Sequence, residues 1–293
     1  MGEIETIDPK IIVALGDVAM RQVTGVSGVM KNAGLVHTVK GRKVLTTYHP
    51  AYILRSPHFT ERWKQHLSLL PSMLQAEEKR KLPTNYGFIT NPREFSSLVD
   101  KLRNRNYVSF DYETTGLSPF KEKVLCAALS WEAGHAACVD LRSEAMRNVF
   151  ADFLDSNIPK IVHNALFEIP WSIVHFKRVP HNMFWDTKLG ALLIDENAPS
   201  GLKFLAMKHT DIGSYDEGIR NEDWKTQSPL RLWKYNCTDA DATIRMYDIQ
   251  APEVSGMPAA IRQAELVSRM KVGGGRVMHE NIPAVRKKLE EDI

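Results

Sequence analysis

Cysteine is scarce: Cys126, Cys138 and Cys237 are the three in 293 residues. At these spacings they form neither a C-x-x-C metal pair nor an even disulfide framework, which excludes a small secreted scaffold and fits a reducing, cytoplasmic setting. No apolar run approaches the roughly 20 residues that span a bilayer. The N-terminus also lacks the basic-then-apolar layout of a signal peptide, so no membrane partner is expected. An excess of charge of one sign is missing too. Lys and Arg number 38 against 35 Asp and Glu, a formal net charge of +3, so a case for nucleic acid must rest on local chemistry rather than bulk charge. Internal repeats and low-complexity tracts are absent. What remains is 43% hydrophobic and 25% charged residues, the composition of a folded chain with room for one large domain or two smaller ones.

Ile11 to Leu15 reads as a short buried strand, followed by Gly16 and a helix from Asp17 to Val23. A second strand, Lys43 to Tyr48, runs into His49-Pro50. Glu61 to Leu74 has helical spacing through Trp63, His66, Leu67 and Leu70, and Pro71 predicts a kink or break. Segment 76–86, charged and holding Pro83, reads as an exposed linker after a first unit at 1–75. From Gly87 a new pattern starts: strand Phe88 to Thr90, then a helix opened by Asn91-Pro92 and running through Phe95, Leu98 and Leu102. Strands follow at Tyr107 to Tyr112, Val124 to Trp131 and His135 to Asp140. A helix from Glu144 to Phe153 leads to a buried strand, Lys160 to His163, and the chain then reads as mainly helical to about Ile249. Three strands in succession, then alternation with helices, predict an α/β fold with a mixed central sheet and flanking helices. Residues 251–293 read as an amphipathic helix from Ala259 to Met270, a Gly273 to Gly275 turn and a charged final helix.

Chemistry concentrates in four acids and a tyrosine. Asp111 and Glu113 stand two apart on a strand and so face the same way; two like charges there are costly unless a cation compensates them. Glu168 closes the run His163-Asn164-Ala165-Leu166-Phe167-Glu168, directly after a buried strand. Tyr235 and Asp239 lie four apart on a helix, hence on one face, with Ser228 and Pro229 as its cap and first residue. Taken singly, each has an ordinary explanation: a solvated strand end, an acid favoured at a helix N-terminus, a surface pair. Their order and spacing together do not.

In that order the motifs resemble the tyrosine-bearing subclass of the DEDD 3′→5′ exonucleases, in particular the proofreading domain of bacterial and bacteriophage family A DNA polymerases, over about residues 87–250. Phe184-Trp185-Asp186-Thr187, then Leu189, Leu192, Leu193 and Gly201-Leu202-Lys203, resembles the family's segment between its second and third motifs. The resemblance implies an RNase H-like fold and a metal-dependent exonuclease acting at the 3′ end of single-stranded DNA. It implies Asp111, Glu113 and Asp239 as metal ligands, Glu168 at the second-motif carboxylate and Tyr235 orienting the attacking water. Thr115 and Leu117 would lie beside the terminal nucleotide, Asn164 and Phe167 along the strand. All-oxygen ligands suit two Mg²⁺ (or Mn²⁺) rather than zinc, and two ions about 4 Å apart activate water and stabilise the leaving 3′ oxygen. One position departs: the family more often has aspartate where this chain has Glu168, one methylene longer. Lys121, Lys123, Lys203, Lys208 and Arg231 are candidates for tracking phosphates.

Residues 11–55 resemble the C-terminal part of a uracil-DNA glycosylase, through Ile11 to Gly16 and Thr47-Tyr48-His49-Pro50-Ala51-Tyr52-Ile53-Leu54-Arg55. The half that would supply the water-activating and uracil-stacking motifs is missing, as are iron–sulfur cysteines, so base excision is not expected. Residues 259–293 resemble the start of a family A polymerase domain, with no polymerase motifs after it. The expected organisation is a partial glycosylase-like unit (1–75), a linker (76–86), an exonuclease domain (87–250) and a truncated polymerase start (251–293). That makes the chain a fragment without polymerase activity, its partner the remainder of a DNA polymerase chain, and its setting the bacterial host's cytoplasm if phage-encoded. Two other readings stay open. One is an RNA-trimming relative from the same superfamily; the other is a catalytically silent DNA-binding or structural module of a polymerase, which predicts metal-insensitive strand binding without product.

Overall fold

Two sheets organise the residues described by the computed structural model, 2–75, 84–212, 215 and 229–273. The first part runs α1 (Gly2–Ile7), β1 (Ile11–Leu15), α2 (Gly16–Thr24), α3 (Val29–Asn32), β2 (Val36–Val39), β3 (Arg42–Thr47), α4 (Pro50–Arg55), a 3₁₀ turn (Pro57–Phe59), α5 (Thr60–Leu67) and α6 (Leu69–Gln75). Its three strands lie in the order β1-β3-β2, with β3 parallel to β1 and antiparallel to β2. Gly16 makes the strand-to-helix turn at a φ of 84°, where a Cβ would come 3.1 Å from that of His49; glycine is the residue that fits such a corner. The helix break expected at Pro71 falls instead at Ser68, between α5 and α6. Pro71 then sits in the first turn of α6, where its missing N–H leaves no bond unmade.

The second part runs β4 (Asn85–Ile89), α7 (Pro92–Leu102), β5 (Val108–Thr114), β6 (Val124–Glu132), β7 (His135–Asp140), α8 (Glu144–Asp155), β8 (Lys160–Val162), α9 (Ala165–Phe176), β9 (Met183–Asp186), α10 (Thr187–Ile194), α11 (Leu202–His209), α12 (Pro229–Gln250) and α13 (Met257–Gly273). Six strands lie in the order β4-β7-β6-β5-β8-β9. β5 and β7 are each antiparallel to β6, while β4 pairs parallel with β7, and β8 parallel with both β5 and β9. The sheet is mixed, as expected. β4 starts at Asn85, inside the segment read as linker, and β9 was not expected at all. Ser228 and the segment 274–293 lie outside the described residues.

Side chains alternate between the two faces of β5. Val108, Phe110 and Tyr112 point into an aromatic core with Phe95, Phe150, Phe153 and Phe176. Ser109, Asp111 and Glu113 alternate with them and so share the opposite face, towards α12. That helix reaches the sheet closely because its contact residues are small: Cys237 and Ala240 meet Cys126, Ala128, Ala136 and Cys138. Ser109 Oγ donates to the Ala240 carbonyl at 2.7 Å, fixing the helix beside β5.

The two parts share one buried cluster, in which Val36, Leu45, Leu69 and Met73 pack with Leu202, Phe204, Leu205 and Met207 of α11. His66 is buried at this junction, 6.5 Å centroid to centroid from Phe204 and 2.9 Å through Nδ1 from Thr47 Oγ1. Burial, with Arg62 adding to it, lowers the His66 pKa to about 4. The unfolded ring takes up its proton near 6.5, so between those values the unfolded state binds more protons and stability rises with pH. Urea unfolding between about pH 4 and 6.5 should therefore show a shallower pH dependence in His66→Leu than in the native chain. Equal slopes would mean the ring is not held neutral at the junction.

Candidate active site

Three strands deliver the site because they end at one edge of the sheet. β5, β8 and β9 are parallel neighbours, so their C-terminal ends, where α/β sheets commonly place ligands, lie together. Asp111 and Glu113 stand at the end of β5, Glu168 in the first turn of α9 after β8, and Asp186 at the end of β9. From across the sheet, α12 adds Tyr235 and Asp239.

Carboxylate oxygens of Asp111, Glu113 and Asp239 lie within 4.8 Å of one another. Glu168 falls outside that spacing but faces the same charges. Burial raises its pKa well above the usual range, with Asp111, Asp186 and Glu113 adding to the rise and the Tyr112 backbone N–H opposing it. Its Oε2 is buried without a hydrogen-bond partner. Burial likewise raises Asp111, helped by Asp239 and opposed by Lys203 and Asn236. Crowded, desolvated oxygens of this kind fit a hard divalent cation, and the unpartnered Glu168 oxygen is consistent with one.

Partners from elsewhere in the chain hold Asp239. Lys203 Nζ lies 3.0 Å from each carboxylate oxygen, and Tyr215 donates to Oδ1 at 2.5 Å. The Lys203 ammonium sits 4.5 Å from the Tyr235 ring centroid and 5.4 Å from that of Tyr215. Burial and the Asp239 charge hold the Tyr215 phenol protonated. Asn236 donates to Asp111 Oδ2 at 2.7 Å.

Asp186 sets the start of α9. Its carboxylate caps α10 through Lys188 N (2.8 Å) and Leu189 N (3.3 Å), and also accepts from Asn164 N (2.9 Å) and Ala165 N (2.7 Å). Asn164 takes a φ of 83°, a left-handed conformation that asparagine tolerates better than most side chains. His163, lowered to about 3 by burial and by Lys188 and Lys203, meets Thr187 Oγ1 at 2.9 Å.

The residues expected along a bound strand are placed unevenly. The Thr115 hydroxyl donates to Glu122 Oε2 at 2.6 Å and accepts from Lys123 N at 3.0 Å, closing its own loop. Leu117 is 88% exposed on the loop between β5 and β6, with Phe120 at 60%. Phe167 is half-buried against Trp171, and Asn164 Oδ1 accepts from Lys188 Nζ at 3.3 Å. Lys203, expected to track phosphate, contacts Asp239. Lys121 and Lys123 are exposed on the β5–β6 loop, and Lys208 lies over the Phe204 ring. Tyr215, Asn236 and the capping role of Asp186 escaped sequence reasoning; Asn236 had the signal of following Tyr235, whereas Tyr215 had none.

Residues 86–255 match the family described as 3′–5′ exonuclease, and residues 2–67 match the uracil DNA glycosylase superfamily. A DNA polymerase of Bacillus phage SP01 is 26% identical over 301 residues, covering 86% of this chain and 32% of the relative. DNA polymerase I of Borreliella burgdorferi is 26% identical over 178 residues, 56% of this chain and 19% of the relative. The chain thus spans about a fifth to a third of the length of these curated relatives. Among solved structures, Escherichia coli RNase D, an exoribonuclease involved in structured RNA processing, gives a TM-score of 0.53 at 16% identity, over 68% of this chain and 53% of that one. That likeness speaks for the fold, RNase H-like as expected.

Replacing Asp186 by Ala would strip four backbone N–H groups of their acceptor. The expected loss is on the order of 3 kcal/mol in urea unfolding, with faster amide exchange at Asn164 and Ala165. Unchanged exchange at those two amides would show that Asp186 does not hold the start of α9.

Proposed function

The chain belongs to the 3′–5′ exonuclease family, and from that premise we propose that it hydrolyses single-stranded DNA from the 3′ end with two Mg²⁺ (or Mn²⁺). The observation that carries this reading is the carboxylate cluster: three acids from β5 and α12 within 4.8 Å, and a fourth, Glu168, buried nearby with an unpartnered oxygen. Asp111, Glu113 and Asp239, with Glu168 beside them, would hold the ions. When bound, the ions supply a nucleophile from water and stabilise the leaving 3′ oxygen. The chain's own groups do the rest. The Tyr235 hydroxyl orients the attacking water. Lys203 and Tyr215 fix the plane of Asp239 and offset its charge, so a polyanion can approach four acids. Leu117 offers an apolar surface to the terminal base, with Thr115 shaping its loop, while Asn164 and Phe167 border the path of the strand.

The organisation proposed with this activity is a glycosylase-like unit (1–75), a linker (76–86), an exonuclease domain (87–250) and the start of a polymerase domain (251–293). The polymerase names of the relatives support proofreading beside the remainder of a DNA polymerase chain as its role.

Digestion of a 5′-labelled single-stranded DNA, with RNA of the same sequence alongside, tests the reading. A ladder shortening from the 3′ end is expected with Mg²⁺ or Mn²⁺ and not with EDTA. Asp111→Ala should lower the rate by about 10²-fold or more, and Glu168→Ala should also lower it. Intact DNA from folded protein would favour a silent module, faster cleavage of RNA an RNA-trimming enzyme, and an unchanged Glu168→Ala rate would remove that residue from the site.

The raised pKa values of Asp111 and Glu168 give a second expectation. Cations compete with protons for these oxygens, so Mn²⁺ should bind more tightly as pH rises from about 5 to about 8, releasing protons as it does. Calorimetry in buffers of different ionisation enthalpy reads both effects. Affinity independent of pH would contradict the assignment of these two acids.

A further inference from the structure

Asn236 lies between the carboxylate cluster and a pair of thiols, and all of its hydrogen-bonding capacity is used. It is fully buried. Nδ2 donates to Asp111 Oδ2 at 2.7 Å and to the Asp111 carbonyl at 3.2 Å. On the other side, Cys138 Sγ and Cys126 Sγ approach Oδ1 at 3.5 and 3.7 Å. An amide presents two N–H donors on one side and one oxygen acceptor on the other. Here the acceptor meets two S–H groups and the donors meet two oxygens, so only one of the two amide orientations is satisfied. Turned over, Oδ1 would face the Asp111 oxygens and the NH₂ group would face the thiols, leaving a buried acceptor against a carboxylate.

The strands explain why the thiols are there. Cys126 is the cross-strand partner of Glu113 on β6, and Cys138 lies on β7, the next strand out. Both belong to the cluster that α12 covers with Cys237 and Ala240. The thiols are therefore directly behind the strand end that carries the acids, and they are buried.

We propose that Asn236 is a positioning residue for Asp111, its amide oriented by the Cys126 and Cys138 thiols so that one N–H is committed to Oδ2 and the carboxylate plane is fixed for the cation. The inference rests on the exonuclease reading of the Asp111 site. It gives two of the three cysteines a part in the activity as hydrogen-bond donors, with no redox or nucleophilic chemistry.

Mn²⁺ binding to the full chain, measured by calorimetry and by electron paramagnetic resonance of the free ion, supplies a readout apart from turnover. Asn236→Leu should weaken Mn²⁺ affinity by about 10-fold or more, as loss of partners behind metal ligands does, and should lower kcat for single-stranded DNA while KM stays near the native value. Cys126→Ala/Cys138→Ala removes the donors with little change of volume in an alanine-rich cluster, so it tests the idea even if Asn236→Leu does not fold. It should weaken Mn²⁺ in the same direction, and Cys126→Ser/Cys138→Ser, which keeps two donors, should restore most of the affinity. Native binding and cleavage combined with native-like Mn²⁺ affinity in Asn236→Leu or in the alanine pair would overturn this proposal alone. A native chain that neither binds Mn²⁺ nor cleaves DNA would overturn the exonuclease reading along with it.

Discussion

Repulsion among partly desolvated carboxylates is the constraint that the described fold is arranged to meet. Asp111, Glu113, Glu168, Asp186 and Asp239 converge on one end of the sheet, and burial pushes the pKa values of Asp111, Glu168 and Asp186 upward. Each compensating group comes from a different stretch of chain: Lys203 from α11, Tyr215 from beyond it, Asn236 from α12, and the backbone N–H groups of Asn164 and Ala165 from the start of α9. No single element could supply this set. The parallel run β5-β8-β9 and the close approach of α12 are needed to bring them together, so the topology and the electrostatics belong to one solution.

That dependence gives the packing of α11 a chemical consequence. One side of this short helix sends Lys203 to Asp239. The flanking Leu202, Phe204 and Leu205 enter the cluster shared with Leu69 and Met73 of the N-terminal part. Side chains one apart on a helix point in different directions, so the helix is gripped by apolar contacts on one side and by an ion pair on the other. An ammonium 3.0 Å from both oxygens of a nearly buried carboxylate is sensitive to small displacements. The N-terminal part therefore touches the site through α11, and none of its described residues belongs to the carboxylate cluster.

Local signals made most of the exonuclease-like part legible in the sequence. Asn91 caps α7 ahead of Pro92, accepting from Arg93 N at 2.9 Å, and strict alternation on β5 separated Phe110 and Tyr112 from Asp111 and Glu113. Most of what escaped had no local signal. β9 is a four-residue strand, Met183–Asp186, too short for periodicity, and its place comes from pairing with β8. Lys160 opens the strand read as buried and is itself fully buried, its Nζ donating to the carbonyls of Ser156, Ile158 and His181 at 2.8 to 3.0 Å, partners that the sequence does not indicate. Tyr215 and Asn236 meet their carboxylates only through tertiary contact, which spacing along the chain does not encode.

Glu168 shows how one methylene is accommodated. The start of α9 is pinned by Asp186 through two backbone bonds, so the longer side chain cannot be absorbed by sliding the helix along the sheet. Ala165 and Ile169 on either side of it are buried in the main core, which opposes rotation of the helix as well. The extra reach is left to the side-chain torsions, and the carboxylate ends outside the spacing that unites Asp111, Glu113 and Asp239. A carboxylate in that position still feels the charges of Asp111, Asp186 and Glu113, which add to the rise that burial causes. The three acids at tight spacing and the fourth set back are thus placed by different means, the first group by strand and helix geometry and the fourth by how a single buried side chain turns.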